Sequence, residues 1–215
     1  MNASAGYRAV IFDLGGVVFP SPIDGFREYE RAHGLPHRFL SEVVLADPEQ
    51  GAWGRLERGE LSMGEFCAAF EAECAAAGGT VDAAELMGAI SSGFAPRPVM
   101  VEALRALRRH GLSTAALTNN WADDERESAP KGDVLDGLFD VVVESAVEGL
   151  RKPDVRIYEL VCDRLAVSPE EAVFLDDLGV NLKPARAMGM ATIKVGDAGA
   201  AVAELEALLG LSLRS

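Results

Sequence analysis

One run constrains the fold of this chain more than any other: Ala9-Val10-Ile11-Phe12, followed by Asp13-Leu14-Gly15-Gly16-Val17. Four apolar residues, two of them β-branched, stop at an aspartate and a glycine pair. A short apolar run closed by turn residues reads as a strand buried on both faces. Asp13 then stands at the carboxyl end of a central strand, where open α/β sheets gather their ligands. The glycine pair lets the main chain turn tightly and lets a ligand approach it closely. Taken alone, the run equally describes an aspartate that ends a core strand in a polar turn.

Further apolar runs of this kind alternate with helical patterns. Strands are predicted at 112–117, 141–143, 173–175 and 191–195. Helices are predicted at 99–110, with Pro98 near the first turn and Gly111 just past the end, and from Asp154 as N-cap through Leu165. Two more follow at 183–188 and 200–209. Such alternation implies an α/β fold, a doubly wound parallel sheet of Rossmann-like type. Between the first two strands the texture is helical only. Residues 26–33 form one pattern, stopped by Gly34 and Pro36, and 38–45 a second, ended at Asp47-Pro48. Ser62-x-x-Glu65 is a capping box that opens a helix to about residue 77, and Asp82-x-x-Glu85 opens another to about residue 90. The expected organisation is a core of 1–20 and 95–215 with a small helical subdomain over 21–94. Residues 121–133 read as a polar loop containing Pro130.

The 215 residues suffice for one good core plus an appendage. A net charge of −14 argues against a nucleic-acid partner, which needs a basic face. The densest basic cluster, Arg105, Arg108 and Arg109, reads as the solvated face of a helix. No apolar stretch approaches the length of a membrane span, and the first residues lack a secretory pattern. Cys67, Cys74 and Cys162 are an odd count without metal-ligand spacing, which suits reduced, buried cysteines in a cytoplasmic protein. In so acidic a chain an anionic substrate needs a locally positive site, which brings in a metal ion.

Three later strand ends also carry chemistry: Thr118-Asn119-Asn120, Lys152-Pro153-Asp154 and Asp176-Asp177. With Asp13, in this order, they resemble the four motifs of the haloacid dehalogenase-like hydrolase superfamily. The wider strings Phe12-Asp13-Leu14-Gly15-Gly16-Val17 and Gly149-Leu150-Arg151-Lys152-Pro153-Asp154 narrow the resemblance, as does the run from Phe174 to Arg186. They are similar to the branch that holds the N-terminal phosphatase domain of soluble epoxide hydrolases and a domain of some large acyl-CoA dehydrogenases. The resemblance implies that the helical insert is a type 1 cap.

If the strand ends converge, Asp13 offers a carboxylate nucleophile toward phosphorus, and attack gives an aspartyl-phosphate. Asp176 and Asp177 are hard oxygen ligands of the kind that recruit Mg2+. By resemblance, Asp13, the Gly15 carbonyl and Asp177 coordinate that ion, and Asp176 reaches it through water. Thr118 and the Asn119 backbone donate to the phosphoryl oxygens, and Lys152 neutralises Asp13 and the phosphoryl group. The implied substrate is a small or amphiphilic phosphate ester. Each residue also has a plain structural reading: Thr118 as a helix cap, Lys152 as a surface lysine, Asp176-Asp177 as a loop.

The pattern departs from the family at Gly15, where most of its phosphatases carry a second aspartate as general acid/base. Glycine transfers no proton. Two other readings therefore stand beside the phosphatase. One is a domain that binds a phosphorylated ligand or a partner without turnover; the other is a metal-free haloacid dehalogenase, in which Asp176-Asp177 would be a liability. Trp53 and Trp121 are candidates for the substrate pocket, with ordinary packing the alternative for each.

Overall fold

In the computed structural model, which describes residues 6–92, 95–121, 135 and 137–214, the chain begins with β1 (Ala9–Phe12). Five helices follow: α1 (Pro22–His33), α2 (Phe39–Ala46), α3 (Ala52–Glu57), α4 (Met63–Ala76) and α5 (Ala83–Ser92). The chain then runs through α6 (Pro98–Arg109), β2 (Ser113–Thr118), β3 (Val141–Glu144), α7 (Ser145–Glu148) and α8 (Val155–Leu165). It closes with β4 (Ala172–Asp176), α9 (Gly179–Ala187), β5 (Ala191–Lys194) and α10 (Ala198–Leu209). The loop expected over 121–133 lies, apart from Trp121, outside the described residues.

All four residues of β1 and all five of β4 are buried, as strands covered on both faces must be. Side chains alternate across a strand. Val10 and Phe12 therefore join Val173 and Leu175 on one face, packed against Met100 and Leu104 of α6 and Val202 and Leu205 of α10. Ile11 and Phe174 point the other way, among Ile157, Tyr158 and Val161 of α8 and Leu182 and Ala185 of α9. The sheet is parallel throughout, in the order β3-β2-β1-β4-β5. Strand order reverses between β1 and β4, so their carboxyl ends flank the crevice where such sheets bind ligands. Asp13 and Asp176 stand on either side of it.

The helical insert has an apolar core of its own, built from Phe26, Leu40, Trp53, Leu56, Phe66, Phe70, Leu86 and their neighbours. Helices α4 and α5 start where the sequence says. Ser62 and Glu65 form the expected capping box, and Phe66, Phe70 and Cys74 make the buried stripe of α4. Asp82 accepts from the Glu85 amide at 2.9 Å. Two differences have local causes. Helix α1 begins four residues earlier than the apolar pattern, because Ser21 caps it and Pro22 preorganises its first turn. Helix α3, absent from the sequence expectation, contains Gly54 in close approach to the Pro48 carbonyl, where a Cβ would stand 2.3 Å from that oxygen. Six residues do not hold a helix alone; this one is held by Trp53, whose ring meets Phe26, Phe66 and Phe70 edge-on.

Candidate active site

Asp13 leaves β1 with its amide still bonded to the Leu175 carbonyl (2.9 Å), so the sheet fixes its backbone. Its Oδ1 accepts from the Leu14 amide at 2.7 Å and its Oδ2 lies 2.9 Å from Lys152 Nζ. Lys152 is fully buried, and its ammonium also donates to Asp176 Oδ2 (2.8 Å) and to the Leu117 carbonyl (2.9 Å). The plain reading of Lys152 as a surface lysine does not describe this residue. Three acceptors saturate the ammonium, and the Phe174 ring lies 5.5 Å from it.

Asp176 is held on every side. Its Oδ1 accepts from the Leu178 amide at 2.8 Å, and Asn181 Nδ2 lies 3.1 Å from both of its oxygens. Asp177 is freer: Ser21 Oγ donates to its Oδ2 at 3.2 Å. Gly16 makes room for it, because a Cβ there would stand 2.2 Å from Asp177 Oδ2. One carboxylate oxygen from each of Asp13, Asp176 and Asp177 lies within 4.8 Å of the other two.

Three carboxylates, two buried and the third, Asp177, half-buried, stand against one ammonium and leave an excess of negative charge, and the ionisation of the group responds. Burial pushes the Asp13 carboxyl well above the ordinary carboxylate range; Lys152 opposes the rise and Asp176 adds to it. Burial, then Asp176, raises Asp177 in the same sense. For Lys152, burial disfavours the charge, but Asp13 and Asp176 outweigh it and hold the ammonium above its usual range.

Thr118 ends β2, buried, with its hydroxyl donating to the Asn119 carbonyl at 3.4 Å. The Asn119 side chain faces the Lys152 peptide: Oδ1 accepts from Lys152 N (2.9 Å), and Nδ2 donates to the Lys152 carbonyl (3.1 Å). Gly15 has extended backbone, and a Cβ there would meet Pro22 Cδ at 3.2 Å. Trp53 is buried in the insert's aromatic core with its indole N–H on Glu57, and Trp121 packs edge-on against it. Packing, the alternative weighed for each, accounts for these contacts.

Four participants were not singled out from the sequence. Ser21 is the N-cap of α1 and reaches Asp177. Arg97 Nη1 donates to the Gly16 carbonyl at 2.8 Å, pinning the glycine turn. Asn181 follows Asp176 by five residues, so the first turn of α9 returns it to that carboxylate. Glu57, at the end of α3, accepts from Asn119 and Arg151. A polar residue one helical turn past the aspartate pair was the available signal for Asn181; the others meet the site only through the tertiary fold.

A family model described as haloacid dehalogenase-like hydrolase matches residues 7–189. The chain belongs to this family. Within it, the chain is 41% identical to acyl-CoA dehydrogenase family member 10 of Mus musculus over 99% of its own length and 20% of the relative's. It is 36% identical to bifunctional epoxide hydrolase 2 of Sus scrofa over 96% of its length and 39% of the relative's. It thus spans about a fifth and about two fifths of these relatives. A sesquiterpene phosphatase of Aspergillus oryzae, astK, is 29% identical over 95% of this chain and 97% of its own. Among solved structures, a dehalogenase superposes with a TM-score of 0.69 at 22% identity, covering 98% of this chain and 100% of that one. A family enzyme of Bacteroides thetaiotaomicron, solved with magnesium and inorganic phosphate, gives 0.61 at 19% identity over 90% of this chain and 96% of that one. At these identities the two structures bear on the fold, a five-stranded parallel sheet with a helical insert.

Proposed function

We propose that this haloacid dehalogenase-like hydrolase is a Mg2+-dependent phosphomonoester hydrolase with Asp13 as nucleophile. One observation carries the reading: three carboxylates converge at the switch point of the sheet against a single buried ammonium. Hard oxygen donors with surplus negative charge suit Mg2+. Asp13, Asp177 and the Gly15 carbonyl would hold the ion. Asp176, whose oxygens are engaged by Lys152, the Leu178 amide and Asn181, would reach it through water. When bound, the ion supplies positive charge to the phosphoryl oxygens.

In this reading an Asp13 oxygen attacks phosphorus and the bond to the leaving alcohol breaks. Water then cleaves the aspartyl-phosphate, releasing inorganic phosphate and restoring Asp13. Lys152 offsets the charge of Asp13 and of the phosphoryl group, while the Thr118 hydroxyl and the Asn119 backbone N–H donate to its oxygens. A preorganised donor of this kind contributes about 3 kcal/mol in the transition state. Gly15 supplies no acid, so the leaving alkoxide takes its proton from water, at a cost of about 10²–10⁴ in rate.

We place a cap at 21–94 over a core of 1–20 and 95–215. The substrate is a small or amphiphilic phosphate ester. The full-length likeness to a sesquiterpene phosphatase supports an apolar portion, as do Leu178 and Val180, both exposed beside Asp177. Among the described residues no helix is long and apolar enough to cross a membrane, and Cys67, Cys74 and Cys162 are free, which suits a cytoplasmic setting. A panel of lipid, sugar and nucleotide phosphates, with and without Mg2+, tests the reading. Phosphate release that requires Mg2+ supports it. Chelator-resistant chloride release from a 2-haloacid, with no phosphatase activity, overturns it.

A further inference from the structure

We infer that Glu57 is a positioning residue for Lys152, acting from the helical insert through the side chain of Asn119. Glu57 is buried, with 8% of the residue exposed, and its carboxylate accepts from three directions. Trp53 Nε1 donates from one turn earlier at 3.0 Å. Arg151 Nε and Nη2 both lie 2.7 Å from Oε2, and Asn119 Nδ2 donates to the same oxygen at 3.3 Å. Arg151 and Asn119 belong to the segments that carry Lys152 and Thr118, far from Glu57 in sequence.

The Asn119 amide is the link. It brackets the Lys152 peptide, accepting its N–H at 2.9 Å and donating to its carbonyl at 3.1 Å. At the far end of the same residue, Nζ lies between Asp13 and Asp176. Hydrogen bonds therefore join a carboxylate on the insert to the backbone of the residue whose ammonium faces Asp13. An asparagine amide has nearly the same shape either way round, and only its partners decide which end carries the donors. An ionised carboxylate accepts and never donates. Glu57 thus reinforces the orientation that the Lys152 peptide itself requires, with Nδ2 toward the two acceptors and Oδ1 toward the Lys152 N–H. Arg151 Nη1 also donates to the Pro48 carbonyl at 2.8 Å, so the residue beside Lys152 grips the insert twice.

A buried carboxylate is costly unless paired. The end of a six-residue helix has no packing need for one, and among the described residues the hydrogen-bond donors to Glu57 other than Trp53, namely Asn119 and Arg151, lie in the core. The kinetic part of this assignment rests on the reading of Asp13 and Lys152 as reacting groups; the structural part does not.

The test uses the full chain with Glu57→Gln, which keeps the volume and removes the charge. Amide hydrogen exchange followed by NMR is expected to accelerate at least tenfold at Lys152 N–H, while Val10 and Phe174 in the sheet stay unchanged. With Mg2+ and an aryl phosphate, kcat is expected to fall about tenfold with KM within twofold. Combined with Asn119→Ala, Glu57→Gln should cost less than a further twofold in kcat, because both changes interrupt one set of hydrogen bonds. Glu57→Asp, which keeps the charge but draws the carboxylate back by one methylene, should shift Lys152 exchange the same way by less, and decides the matter if Glu57→Gln does not fold. Unchanged exchange at Lys152, or equal acceleration at all protected amides, overturns the proposal. If the wild-type chain hydrolyses no phosphate ester, the functional reading fails, and the exchange result still decides the link between Glu57 and Lys152.

Discussion

Gly16 and Asp177 occupy adjoining space that no side chain at position 16 could share. A Cβ on Gly16 would lie 2.2 Å from Asp177 Oδ2, and the glycine has φ of 75°, a conformation that L residues adopt only under strain. Gly16→Ala must therefore displace Asp177 or the turn. The expected result is a loss of about 1–3 kcal/mol from backbone strain and contact, together with at least a tenfold weaker Mg2+ affinity. Urea unfolding and Mg2+ titration by calorimetry measure the two effects; wild-type Mg2+ affinity in the Gly16→Ala variant would show that Asp177 does not depend on the glycine.

Lys152 offsets two buried carboxylates. Replacing it by methionine keeps most of the unbranched chain and leaves Asp13 and Asp176 without their common partner. Removing one member of a buried ion pair costs about 3–5 kcal/mol. Lys152→Met is expected to lose stability on that scale, and activity by at least three orders of magnitude. Stability within 1 kcal/mol of wild type, by chemical denaturation at neutral pH, would contradict the description of the site as a buried charge cluster.

Asp140 gives the acid side of the stability profile. Burial pushes its carboxyl up, but the Thr114 amide at 2.9 Å and the Arg108 guanidinium more than offset this and hold it below the ordinary range. A group depressed in the folded state stabilises above its unfolded pKa, near 3.9 for aspartate, and loses that contribution as pH falls through the folded value. Asp140→Asn should therefore lower the urea midpoint by a constant amount above about pH 5, with the gap from wild type closing below about pH 4. A gap independent of pH down to about pH 3 would show that the charge contributes nothing.

The three cysteines should separate by reactivity. Burial pushes the Cys74 thiol up to about 12 and the Cys162 thiol to about 11, and both side chains lie inside apolar cores. Burial, then Glu71, also raises the Cys67 thiol, but this side chain is only half-buried, so exposure sets it apart. Because the thiolate is the reacting form, iodoacetamide at pH 8 should modify Cys67 alone in the native protein and all three after unfolding, as read by mass spectrometry. Modification of Cys74 in the native state would contradict the packing of the insert.

Much of this was legible in the sequence where local chemistry and the global fold agree. Ala9–Phe12 reads as a doubly covered strand because its neighbours on both faces are apolar. Ser62 and Glu65 announce a helix start because their hydrogen bonds are local. Asp13 and Asp177 were readable because each directly follows a strand that the sheet aligns, and Thr118 because it ends one; Lys152, read as a strand end, instead follows α7, eight residues past β3. Helix α3 was not, since Gly54 looks like a breaker and its real role, close approach to the Pro48 carbonyl, lies in tertiary space. Glu57 looks like one surface charge in an Arg- and Glu-rich stretch; its partner Arg151 is 94 residues away. Asn119 was read for its backbone amide, whereas its side chain, bracketing the Lys152 peptide, is set by contacts across strands.

The account depends most on Asp13 as the group that takes the phosphoryl unit. Steady-state hydrolysis of an aryl phosphate by wild type and Asp13→Asn, each with and without Mg2+, tests this directly. The account predicts Mg2+-dependent turnover in wild type and a loss of at least three orders of magnitude in the variant at unchanged folding. Turnover by Asp13→Asn at a rate comparable to wild type would contradict it.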